Sequence, residues 1–240
     1  MRMPRRRAVI ASAMPDEVQN LRAALEEAGF SEIIGTSDGI SALRRVQDAP
    51  TELVVADAVL PAMDGRTLAE RIAQESLPVM PAVILLAFEG MCPENAADCV
   101  LRKPVSAEML KIALPALTPE KRKIPAQKRA RAMELLKELG VPEHCGREYL
   151  VRAIELAWLD SRLLKALTAR VYPAVAREAG ADERHVIRAV KHVIDEAWRS
   201  GEMDAQYKIF GDTIDARRGS PTAGEMIARI AEILRWEGRA

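Results

Sequence analysis

Between Ala8 and Leu114 short apolar runs alternate with amphipathic stretches, and beyond Lys128 the short apolar runs stop. That alternation constrains the fold more than anything else in the 240 residues. Ala8–Ala11, Glu32–Gly35, Leu53–Ala56, Ala82–Leu86 and Val100-Leu101 read as strands, each too short and too apolar to have a solvent face. Asp16–Gly29, Ser41–Asp48, Arg66–Glu75 and Ala107–Leu114 carry apolar residues at helical spacing. Strand, helix, strand in strict rotation predicts parallel pairing with helices on both faces, and right-handed crossovers make that a doubly wound α/β sheet of the flavodoxin-like kind.

The texture changes at "PALTPEKRKIPAQK" (Pro115–Lys128), with three prolines, four Lys or Arg and scattered apolar residues. Residues 1–117 therefore read as one domain, 118–128 as a linker and 129–240 as a second, all-α domain. Helices are expected there at Arg129–Leu139, Arg147–Leu159, Arg162–Val171, Pro173–Glu178, Glu183–Trp198 and Glu225–Trp236, with Gly140, Gly180 and Gly201 at stops. Trp158, Trp198 and Trp236 fall on apolar faces and read as core.

The charge is divided unevenly. Residues 1–118 hold 12 Lys and Arg against 16 Asp and Glu, and residues 119–240 hold 23 against 19, so the second half is the one suited to an acidic partner. With 49% apolar and 29% charged residues, a disordered or fibrous chain is excluded. The longest apolar run, Val83–Phe88, is too short to span a bilayer, and "MRMPRRR" lacks the apolar region of a signal peptide. That start reads as a charged tail leading into the first strand. Cys92, Cys99 and Cys145 form neither a zinc spacing nor an even disulfide set, which fits a reducing cytoplasm and no membrane partner.

Two constellations carry chemistry. The first is "VVADAVLPAMDG" (Val54–Gly65), where an apolar strand ends in Asp57. Ligand chemistry in doubly wound sheets gathers at the carboxyl ends of the strands, so Asp57 and Lys103 are expected in one crevice. With Pro61, "MDG", Lys103-Pro104 and "LEEAGF", the span from Ala8 to Leu117 resembles a two-component response-regulator receiver. The resemblance implies Asp57 as phosphoacceptor, Lys103 as phosphate clamp, and Mg²⁺ or Ca²⁺ held by two acids after the first strand. Ser12 and Ala13 stand at that acid pair, Ala87 at the hydroxyl of the fourth strand and Val100 at the aromatic switch, while the helix after Ala87 is shortened. Asp57 is then either the surviving nucleophile of a poorly phosphorylated receiver, acting in dimerisation or ligand sensing, or a solvated strand-end carboxylate paired with Lys103.

The second constellation is Tyr172–Trp198. Ala176, Gly180 and an apolar stripe of Val186, Ala189, Val190, Val193 and Ile194 provide a small crossing residue, a turn and a packing face, as a helix-turn-helix requires. Asp182 is placed to cap the second helix. Its other face carries Arg184, Arg188 and Lys191 beside His185, which is either a solvated face or one aimed at guanine edges in the major groove.

From Leu136 to Trp236, "LGVPEHCGREYLVRAIELA", "LLKALTARVYP", "VIRAVKHVIDEAW" and "FGDTIDARRGSPTAGEMIARIAEILR" resemble the effector domain of the sporulation stage-zero master regulator family. The resemblance implies a six-helix module that binds TGTCGAA-like boxes on double-stranded DNA as tandem dimers. It places DNA contacts at Arg184, His185, Ile187, Arg188 and Lys191. It also implies homodimers through receiver or effector, a phosphotransfer protein upstream and RNA polymerase downstream. Ile187 stands where the family has a glutamate and Lys191 where it has an arginine, so altered or relaxed sequence preference is expected. Arg217 and Arg218 precede the last helix, either against DNA phosphates or simply solvated. Two other readings stay open: a phosphoryl-accepting signalling protein whose output is protein contact, and a degenerate receiver with an RNA-binding helical output. An enzyme is not expected, because His144, His185 and His192 have no nucleophile or metal partner at useful spacing.

Overall fold

The computed structural model describes residues 6–75, 77–91, 97–211, 214 and 219–237, and divides into two compact units, Met1–Arg122 and Lys123–Ala240. In the first unit β1 (Arg7–Ala11), β2 (Glu32–Thr36), β3 (Leu53–Asp57), β4 (Ala82–Ala87) and β5 (Cys99–Arg102) form one parallel sheet in the order β2-β1-β3-β4-β5. Ala8 lies opposite Leu53 and Leu53 opposite Ala82, so β1, β3 and β4 run in step and end at one level. These three central strands are buried along their whole length, while β2 and β5 at the edges are only partly covered, which follows from helices packing on both faces. The helices are α1 (Pro15–Glu27), α2 (Gly39–Asp48), α3 (Gly65–Gln74) and α4 (Ala107–Ala113). Between Ala87 and Cys99 the described residues, 88–91 and 97–98, contain no helix; the remainder of the shortened helix expected there lies outside the described residues.

Gly65 explains part of the "MDG" signature. A Cβ on it would lie 2.2 Å from the Asp57 carbonyl oxygen, so only glycine lets α3 start against the end of β3. The expected charged tail is corrected at two residues. Arg7 is inside β1 and 6% exposed, donating to Arg45 O (2.7 Å), Ala49 O (2.8 Å), Thr51 Oγ1 (2.7 Å) and Glu32 Oε1 (3.0 Å). Arg6 lies 4.0 Å over the Phe30 ring and donates to Glu52. The Arg7 guanidinium tolerates burial because its Nε and Nη1 groups find four oxygens.

The stretch expected as a linker is ordered in part. Arg122 donates to the Met80 and Pro81 carbonyls and to Asp98 of the first unit, and α5 (Ala126–Glu138) starts three residues before Arg129. In the second unit α6 (Cys145–Leu159) is the central helix, buried on nearly all sides, with α5, α8 (Glu183–Ser200) and α10 (Ala223–Trp236) packed on it. Together with α7 (Tyr172–Ala179) and α9 (Met203–Phe210) these are six α-helices among the described residues.

Three expectations change. Ser161–Val171 is a 3-10 turn followed by a π turn rather than one α-helix: Asp160 folds back to accept from Arg162 N (2.9 Å) and grips its guanidinium, which sets a tighter start. Helix α9 had no counterpart in the sequence reading, since only Ile209 and Phe210 of its eight residues are buried. Trp158 is core at 3% exposure and Trp198 stacks edge-on against Phe210, but Trp236 is 57% exposed at the very end of α10, beyond its last buried residue Leu234.

Candidate functional site

The carboxyl ends of β1, β3 and β5 bring Asp57 and Lys103 together. The Lys103 ammonium pairs with Asp57 Oδ1, and Lys103 also donates to Glu17 Oε2 at 2.8 Å. Ser12, at the end of β1, donates its hydroxyl to the same Glu17 oxygen (2.8 Å) and accepts from Met14 N (3.1 Å). Asp57 is 6% exposed, so the expectation of a solvated strand-end carboxylate is corrected: it is a buried one, enclosed because β3 is central and α3 starts against it. Burial pushes its carboxyl above the ordinary range, the bonds from Lys103 and Ser12 pull it down, and the nearby charge of Glu17 adds to the rise. For Glu17 burial also pushes upward, but the bonds from Lys103 and Ser12 outweigh it and hold the group below its ordinary value. Lys103 is the mirror case, with burial opposing and the two carboxylates prevailing to raise it.

Glu17 was not among the expected site residues. It enters from the first turn of α1, five residues past Ser12, so the crevice has a second carboxylate from the helix instead of the strand end. Ala13 is exposed, and Ala87 offers only its backbone carbonyl, to Lys103 N (2.9 Å). Neighbouring Phe88 is 60% exposed, its ring 6.0 Å from the Lys103 ammonium. A divalent cation does not fit this donor set. Both carboxylates are already held by one ammonium, Ser12 gives only a hydroxyl, and among the described residues no three His, Cys, Asp or Glu are grouped to hold a metal.

The second site is one face of α8. Gly180 ends α7 with φ 61°, and Asp182 caps α8 by accepting from Arg184 N (2.9 Å) and His185 N (3.2 Å). Val186, Ala189, Val190, Val193, Ile194 and Ala197 are buried, which fixes the rotation of the helix and leaves Arg184, His185, Arg188 and Lys191 exposed on the other side. Ile187 is half-buried between the two faces. Arg188 Nε donates to Arg184 O (3.2 Å), and among the described residues none of Arg184, Arg188 and Lys191 is paired with a carboxylate. His185 meets the Tyr149 ring edge-on at 6.0 Å. Gly146 of α6 sets how close α8 approaches: a Cβ there would lie 2.4 Å from Ala189 O and 2.8 Å from Val193 Cγ1. Arg217 and Arg218 lie outside the described residues.

Residues 9–114 match the family described as response regulator receiver domain, and residues 132–234 match sporulation initiation factor Spo0A C terminal. The chain has the architecture of the sporulation-initiation response regulators. The two matches in this order support a response-regulator transcription factor of the sporulation-initiation type, with the second half matching the family's DNA-binding C-terminal domain. The sporulation-type regulator is also similar to solved receiver structures. One, from Methylobacillus flagellatus, is 19% identical with a TM-score of 0.44, spanning 48% of this chain and 99% of that one. The chemotaxis regulator CheY4 of Vibrio cholerae is 22% identical at 0.43, over 48% and 99%. A receiver from Clostridium thermocellum is 26% identical at 0.41, over 47% and 93%. Among the described residues of the regulator, no helix is long and apolar enough to cross a membrane.

Proposed function

We propose that this regulator reads a TGTCGAA-like box in double-stranded DNA with the exposed edge of α8, and that its receiver works with Asp57 phosphorylated weakly or not at all. The observation that carries the first part is the cationic edge itself: Arg184, Arg188 and Lys191 stand in solvent on one side of a capped helix, and among the described residues no carboxylate is paired with them. A stripe held that way is available for guanine O6 and N7 in the major groove and for flanking phosphates. Ile187 brings no acceptor for cytosine, and Lys191 offers a point charge where a guanidinium would make a fork, so the preference at those base pairs is relaxed. Two copies on adjacent boxes, through receiver or effector, are part of this reading. The receiver half of the proposal rests on Lys103, whose single positive charge is already offset by two carboxylates and leaves little to balance the added negative charge of a phosphoryl group.

The test is a gel shift with the full-length chain on box-containing and scrambled duplexes. The box is expected to bind tighter, Arg188→Ala to lose about 1–3 kcal/mol of that discrimination, and affinity to fall steeply with salt. Equal weak binding of both duplexes by the wild-type chain would reduce α8 to a nonspecific charge. If a fragment is used, it has to begin at Lys123, because Ile124 is buried and Lys128 donates to Leu234 O.

A further inference from the structure

We propose that Arg152 is a positioning residue for DNA recognition: from inside the effector it clamps the last turn of α7 and so sets the angle at which α8 is presented. The proposal rests on the reading of α8 as the recognition helix. Arg152 belongs to α6 and is 8% exposed, and a charge so placed is costly unless it is paired. Among the described residues two carboxylates do this. Arg152 Nη1 donates to Glu155 Oε2 at 2.7 Å, and Arg152 Nε donates to Glu178 Oε2 at 2.7 Å. Glu178 stands two residues before Gly180, whose left-handed backbone turns the chain into α8. Glu155, 2% exposed, is also met by Arg129 of α5, which reaches Glu148 as well at 2.8 Å. Charges thus join α5, α6 and α7, ending at the turn.

Direction separates this contact from apolar packing. A leucine at position 152 would hold the helices together about as well, since buried ion pairs are commonly matched in stability by apolar residues of similar volume. Apolar side chains tolerate sliding, whereas two charge-assisted hydrogen bonds from one guanidinium fix where the end of α7 sits. Helix α8 is seated against α6 at Gly146 and Ala189, and its first turn follows directly from the end of α7 through Gly180 and the Asp182 cap. A shift there of a fraction of an ångström is passed to Arg184 and Arg188 in the first turns of α8, where bidentate base contacts depend on it.

The experiment uses the full-length chain with Glu178→Gln and Arg152→Met, separately and together, binding box and scrambled duplexes of equal length. The Glu178 side chain is 50% exposed, and Glu155 keeps Arg129 when Arg152 is gone, so the fold is not at stake; tryptophan-fluorescence melting verifies this. Removing a negative charge near DNA acts by simple electrostatics on both duplexes alike and leaves their affinity ratio unchanged. Loss of the clamp instead lowers the box-to-scrambled ratio by about fivefold, the worth of a half-exposed ion pair, with the double variant no worse than either single one. An unchanged ratio in both single variants overturns the clamp while leaving α8 as the reader. A wild-type ratio of one overturns the reading of α8 and the clamp's purpose with it.

Discussion

Replacing Lys103 by methionine removes the cation from between Asp57 and Glu17 while keeping most of the side-chain volume. The side chains of Lys103, Asp57 and Glu17 are 10%, 9% and 19% exposed, so water does little to screen the two carboxylates left behind. Breaking a buried ion pair by removing one partner costs about 3–5 kcal/mol. For a unit of this size 1 kcal/mol moves the midpoint by roughly 4 °C, which places the loss at about 12–20 °C near neutral pH. The pH dependence is more diagnostic. In the wild type Asp57 is raised, by burial first, and Glu17 is lowered, so their contributions oppose: that of Asp57 is lost as pH rises through its folded value, that of Glu17 as pH falls through its own. Without Lys103 the larger pull is gone and the bond from Ser12 is left to lower either group, so burial and mutual repulsion prevail and both are expected to bind a proton more tightly in the folded state than in the unfolded one. The deficit is therefore largest at neutral pH and shrinks as pH falls to 5, by at most about 1.4 kcal/mol per pH unit for each group that takes up a proton. Every Trp and Tyr lies at or beyond Tyr149, so tryptophan and tyrosine signals follow the effector alone and far-ultraviolet dichroism follows both units. The receiver transition is the part of the dichroism melt that tryptophan fluorescence does not see. A deficit below about 1 kcal/mol, or one that is the same at pH 5 and pH 8, would refute the three-charge description of the crevice.

Incubating the full-length chain with a small-molecule phosphodonor and Mg²⁺ is expected to leave its intact mass unchanged, since a phosphoryl group adds roughly −1.5 to −2 charge beside Glu17 with Lys103 already engaged; stoichiometric phosphate on Asp57 would defeat that expectation. Gly146→Ala forces α6 and α8 apart, because the obstacle is the Ala189 carbonyl and not a side chain that can rotate away. Overpacking of this kind costs about 1–3 kcal/mol against a helix-propensity gain of at most about 1 kcal/mol, so the fluorescence midpoint falls; a midpoint at or above the wild-type value would show that the crossing has slack.

The five strands were legible to within two residues, and the reason is burial. Strands covered on both faces must be apolar throughout, and β1, β3 and β4 are buried at every position, so a run of apolar letters is the strand. The helices that failed are those whose apolar pattern is thin. Helix α9 buries two residues at its end and shows solvent Met203 and Tyr207, so no stripe marks it. Ser161–Val171 has apolar letters enough, but Asp160 redirects its first turn through a side-chain contact that helical periodicity does not encode. The cationic edge of α8 was legible because it is the complement of a buried stripe, and a stripe is a local property.

Glu17 and Arg152 were illegible for one shared reason. Each is a charge whose meaning depends on a partner far along the chain: Glu17 on Lys103, 86 residues on, and Arg152 on Glu178, 26 residues on. In "PDEVQN" and "LVRAIELAW" the letters alone assign such charges to the solvent side, which is where unpaired ones belong. Folding reverses the assignment only because a distant group arrives at 2.7 or 2.8 Å to meet the charge. The same dependence makes both residues sensitive reporters. A change at either removes one of its partner's pairings, so its effect reads out at the partner's end: at the Asp57 crevice for Glu17, and at the turn into α8 for Arg152.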